Sequence, residues 1–254
     1  MFYIGVFIIG CIFGSFSNVC IFRLPNNKKI SKGRSFCINC KKEINWFDNL
    51  PLLSFIILKG KCRYCNNSIS FQYFLVELIA GLSFISIYHF FGFSITSVLL
   101  ATLIIFFIII FFIDLKHYII PNELTFPLMA VGFLKSFLPN LNQTIFPNYI
   151  NSLIGGIIGY GIIWLIILLY KKIRNKDGMG LGDAKLLAVI GFWFGWISIP
   201  FVIFLSSAIA LIIVIPDLLK KSKKLSSQIP FGPYIIIATL IFIVFKDDFL
   251  NLLL

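Results

Sequence analysis

Residues 94–116 read SITSVLLATLIIFFIIIFFIDLK, an apolar run that meets its first charged side chain at Asp114. A run of about 20 apolar residues is long enough for a helix to cross the hydrocarbon core of a bilayer. The whole chain has the same character, since 59% of its 254 residues are hydrophobic, 13% are charged and the mean hydropathy is +0.98. Soluble globular domains do not have this composition, so lipid is the expected solvent for most of the protein.

The length of the apolar runs predicts the fold class. Long continuous runs favour helices over a β-barrel, whose strands are short and alternate in polarity. We therefore expect an all-α, polytopic membrane bundle of about eight transmembrane helices, with seven or nine as open alternatives. The predicted spans are 1–22, 73–92, 94–114, 121–138, 148–170, 184–197, 199–216 and 231–250. The expected domains are a retained first transmembrane helix (1–22), a cytosolic loop (23–72) and a multi-helix membrane domain (73–254).

The distribution of basic residues predicts how the chain is oriented. The net charge of +12 is confined to a few loops between apolar runs, which argues against a nucleic-acid partner. With the N-terminus outside, all but two of the 22 Lys and Arg residues fall in inside loops, leaving Lys135 and Lys246 outside. Such an excess of basic residues marks the cytosolic side of a membrane protein. The sequence therefore predicts that Asp114 and Asp183 both lie at cytosolic helix ends.

The loop at 23–72 contains four of the six cysteines, arranged as two Cys-x-x-Cys pairs. These are Cys37, Cys40, Cys62 and Cys65. Two such pairs can supply the four thiolates of a tetrahedral zinc site, and the absence of a histidine or open ligand position favours a structural site. Two disulfides or free thiols are the alternative, which a reducing cytosolic side disfavours. The loop has too few apolar residues for its own core, so we expect metal binding to supply its folding energy.

Two acidic residues at the ends of apolar runs are the candidate catalytic pair. Asp114 ends one run, and Asp183 begins another inside the glycine-rich stretch Gly178–Lys185. Two carboxyl groups sharing a site have their proton affinities driven apart, which supplies a base and an acid for peptide hydrolysis. This chemistry requires the predicted third and sixth helices to touch. Taken singly, each aspartate is better explained as a helix cap or a surface acid than as a catalytic residue.

Other features near these residues have competing explanations. The glycines could form a phosphate-binding loop, but they lack the preceding strand and the spacing of a nucleotide-binding motif. Glu77 falls inside the second span, where an acid is either functional or a buried, hydrogen-bonded structural group. His117 is near Asp114, but a histidine facing lipid headgroups explains it better than a base or ligand.

These motifs together resemble the type IV prepilin peptidases, a family of membrane aspartic proteases. The resemblance covers nearly the full length of the chain. Its elements are Gly14–Val19 with Arg23–Pro25, the two Cys pairs, Asp48–Pro51, Val76–Leu78, Asp114 with Ile119–Asn122, Gly178–Lys185 with Leu186–Ala188, and Ile229–Tyr234. The Gly-x-Gly-Asp element is also similar to that of presenilins and signal peptide peptidases, but the four-cysteine loop favours the prepilin enzymes. One departure is Asn66 and Asn67 after the second Cys pair, where the family tends to have glycine.

The resemblance implies a function and a set of site residues. Asp114 and Asp183 would be catalytic, with Gly180, Gly182, Lys185 and Glu77 in supporting positions. The substrates would be prepilins or pseudopilins, whose short basic leader is cut on the cytosolic side of the bacterial inner membrane. Many members then methylate the new N-terminus with S-adenosylmethionine, although this sequence shows no donor-binding fingerprint. The alternatives from other classes are a transporter or channel with a zinc-bearing regulatory loop, and a noncatalytic platform of a pilus machine.

Overall fold

The computed structural model describes residues 2–31, 33–138, 141, 145–174, 180–219 and 229–253. Nine α-helices, two short 3₁₀ helices and two isolated β-bridges, but no strand, occur in these ranges. The predicted all-α class is therefore confirmed. The chain forms two compact units, Met1–Ile109 and Ile110–Leu254. Part of the glycine-rich motif, Gly178 and Met179, lies outside the described residues, as do the basic residues 220–224.

The first unit contains a pair of long helices and the loop between them. The helices are α1 (Phe2–Arg23) and α3 (Phe71–Phe91), and the loop carries a 3₁₀ helix at Trp46–Asn49 and the short α2 (Leu53–Ile57). Small residues let α1 and α3 approach closely. A Cβ on Gly14 would lie 2.7 Å from the Cα of Glu77, and one on Gly10 would lie 2.8 Å from the carbonyl oxygen of Ala80. The Gly10-x-x-x-Gly14 motif therefore serves packing.

The division between the two units falls within α4 (Ile95–His117). The second unit continues with α5 (Asn122–Leu134), α6 (Tyr149–Arg174), α7 (Leu181–Phe194), α8 (Ser198–Leu219) and α9 (Gly232–Leu253). The helix α7 is its centre, with ten of its 14 residues buried. A Cβ on Gly191 of α7 would overlap the backbone of Gly155 in α6. On its other side, the indole of Trp193 donates to the carbonyl of Leu128 in α5 at 2.8 Å.

The eight predicted spans all coincide with helices, but the count of eight membrane crossings stays a prediction. Within the described residues, five helices are long and apolar enough to cross a membrane: α1, α3, α4, α6 and α8. The helices α5 and α7 have 13 and 14 residues. At 1.5 Å per residue they are about 20 Å long, which is shorter than the roughly 30 Å of hydrocarbon in a bilayer. The apolar part of α9, Gly232–Lys246, is also short.

The crossing of α6 and α7 predicts a position that does not tolerate a side chain. Replacing Gly191→Ala places a methyl group against the backbone of Gly155, and overpacking of this kind costs about 1–3 kcal/mol. We expect a lower unfolding temperature in detergent, followed by circular dichroism. The matched control is Gly161→Ala in α6, where a Cβ meets no atom within 4 Å. Equal unfolding temperatures of the two variants would contradict this packing.

Candidate functional site

Asp114 lies in the last turn of α4, where it is 4% exposed. The helix ends in a left-handed residue, since Tyr118 has φ +56 and its N–H donates to the carbonyl of Asp114 at 3.0 Å. Such a conformation is unusual for a residue other than glycine and is found where the surrounding structure enforces it. After this turn, Ile120 packs beside Gly182 and Gly232 of the second unit.

Asp183 lies in the first turn of α7 and is 9% exposed. The residue that caps this helix is Gly180, and no side chain of the described residues completes the cap. Asp183 is therefore not the capping residue. Its charge still suits the positive end of the helix dipole. A role as a helix cap, which the sequence left open, would not explain why Asp183 is buried.

The side chain of Ile120 packs against backbone that lies next to each of the two aspartates. A Cβ on Gly182 would lie 3.1 Å from the Cβ of Ile120, and one on Gly232 would lie 3.2 Å from its Cδ1. The N–H of Gly232 donates to Oδ2 of Asp114 at 3.0 Å. The charge of Asp114 acts on Asp183 through space. The structure thus brings both carboxyl groups, from α4 and α7, into one buried site within the second unit.

The predicted supporting residues take different positions. Gly182 packs on Ile120, but a Cβ on Gly180 would have no neighbour closer than 3.8 Å, so packing does not require glycine there. Lys185 donates to Oδ1 of Asn122 at 2.6 Å and thereby ties α7 to the start of α5. Glu77 belongs to the first unit. There it is 8% exposed and accepts the N–H of Leu52 at 2.8 Å.

Three residues of this site were quoted as motif members in the sequence but received no role there. Ile120 fills the space between two glycines, Gly232 supplies a backbone donor to Asp114, and Asn122 accepts from Lys185. Their signal was the presence of Pro and Gly beside apolar residues at the start of α5 and α9. That signal predicts that another segment packs closely against the backbone there, but it does not identify the segment.

The four cysteines of the loop form a second candidate site, within the first unit. Their sulfur atoms all lie within 4.8 Å of one another, with Cys37 and Cys65 at 3.8 Å and Cys40 and Cys62 at 4.0 Å. None of the six cysteines forms a disulfide. The cluster could therefore hold a metal ion.

The two Cys pairs adopt the same turn. In each, the first Cys donates its N–H to the residue five positions later at 2.9 Å, and Lys41 and Asn66 occupy the left-handed region at φ 59 and 54. Asparagine tolerates this conformation better than most residues, so Asn66 suits this turn. The backbone N–H of Asn67 lowers the pKa of the Cys65 thiol to about 7. A thiol so placed readily becomes the thiolate that binds metal.

Comparisons with known proteins match the chain over nearly its whole length. Residues 8–91 match the Bacterial Peptidase A24 N-terminal domain, and residues 101–215 match the Type IV leader peptidase family. The prepilin leader peptidase/N-methyltransferase of Aeromonas hydrophila is 33% identical over 96% of this chain and 90% of its own length. The proteins of the same name from Vibrio cholerae serotype O1 and Pseudomonas aeruginosa are 36% and 31% identical, over 92% and 95% of this chain and 93% and 89% of theirs. No solved structure matches. The resemblance predicted from the motifs is confirmed, and it favours an enzyme over a transporter.

The cysteine cluster predicts a stoichiometric metal content. We expect the purified protein to carry about one metal ion per chain, and Cys37→Ser or Cys65→Ser to lose it, because each removes one of four ligands. Elemental analysis by mass spectrometry measures this ratio. Cys20→Ser is the control, since Cys20 is buried in α1 and should not affect the metal. An unchanged ratio in both ligand variants would rule out the cluster as the site.

Proposed function

This chain belongs to the type IV leader peptidase family, and we propose that it cuts the leader from prepilins or pseudopilins with Asp114 and Asp183 as its catalytic pair. The observation that carries the proposal is the burial of two carboxyl groups, from α4 and α7, in one site. A buried ionisable group is costly unless it is partnered or serves a reaction. Two ionised carboxyl groups that repel each other in the same site are costlier still.

The hydrogen bonds of the site suggest which aspartate is the base. Oδ2 of Asp114 accepts the N–H of Gly232, and a donor of this kind stabilises the ionised form of a carboxyl group. In our proposal Asp114 is ionised and takes a proton from water, whose oxygen attacks the scissile carbonyl carbon. Asp183 is protonated and donates to the carbonyl oxygen. Collapse of the intermediate breaks the C–N bond: Asp114 gives the proton it took from water to the leaving amine, and Asp183 recovers its own proton from the hydroxyl that becomes the product carbonyl.

The apolar helices and the prepilin peptidase relatives together indicate a multi-pass inner membrane protein, and we place the aspartates at its cytosolic face. The distribution of Lys and Arg supports this orientation. A prepilin would present its apolar helix to the bilayer and its basic leader to the cytosol, so that the scissile bond lies at the boundary. The substrates and the surrounding lipid are the partners that this arrangement requires.

We propose that the chain also methylates the new N-terminus of the cut protein. Its relatives carry N-methyltransferase in their names and align over both units. The methyl donor is S-adenosylmethionine, which supplies an electrophilic methyl group on a sulfonium when bound. The acceptor is the amine that cleavage releases.

We propose that the metal of the four-cysteine cluster is zinc. Four sulfurs at the Zn–S distance of about 2.3 Å form a tetrahedron with edges of about 3.8 Å. The sulfur separations of 3.8 and 4.0 Å fit this geometry. With four thiolates the site has no open position for water, so the zinc is structural. In short zinc-binding sequences such an ion contributes about 10–16 kcal/mol to folding, which suits a loop with few apolar residues.

Removing either catalytic carboxyl group should abolish cleavage. We expect Asp114→Asn and Asp183→Asn each to lower the rate of leader removal from a purified prepilin by at least about 10²-fold, because each variant lacks one half of the acid–base pair. Gel mobility and mass spectrometry of the product measure the rate. Asp48→Asn, an acid of the loop in the first unit, is the control for cleavage. Normal processing by both aspartate variants would refute the proposed catalytic pair.

The hydrogen bond from the backbone N–H of Gly232 to Asp114 can be tested without changing a carboxylate. A Cβ on Gly232 would lie 2.8 Å from Oδ2 of Asp114, so Gly232→Ala should displace the carboxyl group and slow cleavage. A misplacement of a catalytic group by about 1 Å can cost about 10²-fold in rate. We expect kcat to fall more than KM changes, measured with a purified prepilin. Gly161→Ala, with open space around it, should cleave at the normal rate. Equal kcat values would contradict the role of Gly232.

A further inference from the structure

The first unit contains a cavity of about 490 Å³ that the peptidase chemistry does not use. It lies between the loop and the ends of α1 and α3 that adjoin the loop. Cavities of about 300–1,000 Å³ are the size that small molecules and cofactors occupy. Five aromatic side chains line it beside polar and aliphatic residues: Phe22, Phe36, Phe55, Tyr64 and Tyr73. Flat aromatic walls suit a ligand with a planar ring system.

The cavity contains a buried hydrogen-bond acceptor without a partner. Asn18 is 4% exposed, and its Nδ2 donates to the carbonyl of Tyr73 at 3.0 Å. That bond fixes the orientation of the amide. Its Oδ1 is then buried with no hydrogen-bond partner among the described residues. An unsatisfied buried acceptor is costly, so a ligand that donates to it would stabilise this part of the cavity.

The charged groups that line the cavity leave one acid without a cationic partner. Asp48 is bound by the guanidinium of Arg63, with contacts of 2.6 to 3.1 Å. Arg23 donates to backbone carbonyls of the loop, at 2.7 Å to Ile30 and 2.9 Å to Gly33. Glu77 forms no salt bridge with the described residues, whose ion pairs are Arg34–Glu43 and Arg63–Asp48.

Glu77 is instead held in place by neutral donors. The N–H of Leu52 donates to its Oε2 at 2.8 Å, and the hydroxyl of Ser15 also bonds to the carboxyl group. Leu52 has φ +60, a strained conformation for a leucine, and strain of this kind concentrates at functional sites. The strained residue follows the Asp48–Pro51 segment directly, and its N–H orients one carboxylate beside the cavity.

We propose that this cavity binds the methyl donor, with the carboxylate of Glu77 and Oδ1 of Asn18 receiving its cationic and N–H groups. The inference rests on the proposed methyltransferase function and assigns its binding site. The residues fit S-adenosylmethionine because that molecule combines a planar purine with a positive sulfonium and a positive ammonium. Aromatic walls take the purine, and the unneutralised acid and the unpartnered acceptor match the positive groups.

Donor binding, measured without prepilin, tests the proposal. The full chain in lipid nanodiscs is titrated with S-adenosylmethionine by calorimetry. We expect Glu77→Gln and Asn18→Leu each to weaken binding by at least about tenfold, since each removes one acceptor. Glu43→Gln, an exposed acid of the same loop, should bind as the unmodified chain does. Wild-type affinity in both cavity variants would overturn the assignment.

Two further measurements separate this inference from the proposed peptidase. Asn18→Leu should still remove the prepilin leader, which also shows that it folds, while Asp183→Asn should bind the donor normally. If a cavity variant does not fold, ultraviolet cross-linking of labelled donor to the unmodified chain decides instead. Label on peptides containing residues 15–23 or 71–77 supports the site, and label confined to the second unit refutes it. Loss of cleavage in Asp183→Asn together with unchanged donor binding in the cavity variants would retain the peptidase and reject the cavity.

Discussion

The burial of the carboxyl groups of Asp114 and Asp183 in one site is the constraint on which the proposed chemistry of the second unit depends. Two ionised acids in a buried site are unfavourable, and a shared proton relieves the repulsion. The surrounding structure prevents them from separating. The α7 helix that carries Asp183 is almost entirely buried, and Asp114 is held by the N–H of Gly232. The packing of the unit therefore maintains an arrangement that the charges alone would oppose.

Close backbone approach makes this arrangement possible. Ile120 lies beside both Gly182 and Gly232, and a larger side chain at either glycine would press against it. On the opposite side of α7, Gly155 and Gly191 allow α6 to pack directly against its backbone. The same use of small residues brings α1 and α3 together in the first unit. Packing by small residues is the usual means of joining helices in lipid, where apolar burial gives little driving force.

The sequence predicted the features that depend on composition and local spacing. Apolar runs identified each of the five described helices that are long and apolar enough to span a membrane, and two Cys-x-x-Cys pairs identified the cluster, because both signals are local. The sequence did not predict contacts between distant segments. The bond from Leu52 to Glu77 and the packing of Ile120 between two glycines depend on tertiary structure. The lengths of α5 and α7, and the left-handed Asn66, likewise depend on how the chain packs and turns.

A shared proton between the aspartates can be observed directly by infrared spectroscopy of the purified protein at neutral pH. If Asp114 is ionised and Asp183 is protonated, the unmodified chain should show an absorption band of a protonated carboxyl group that Asp183→Asn lacks. Other buried acids, including Glu77, are present in both proteins and cancel in the difference spectrum. Identical carboxyl bands in the two proteins would contradict the proposed acid–base pair.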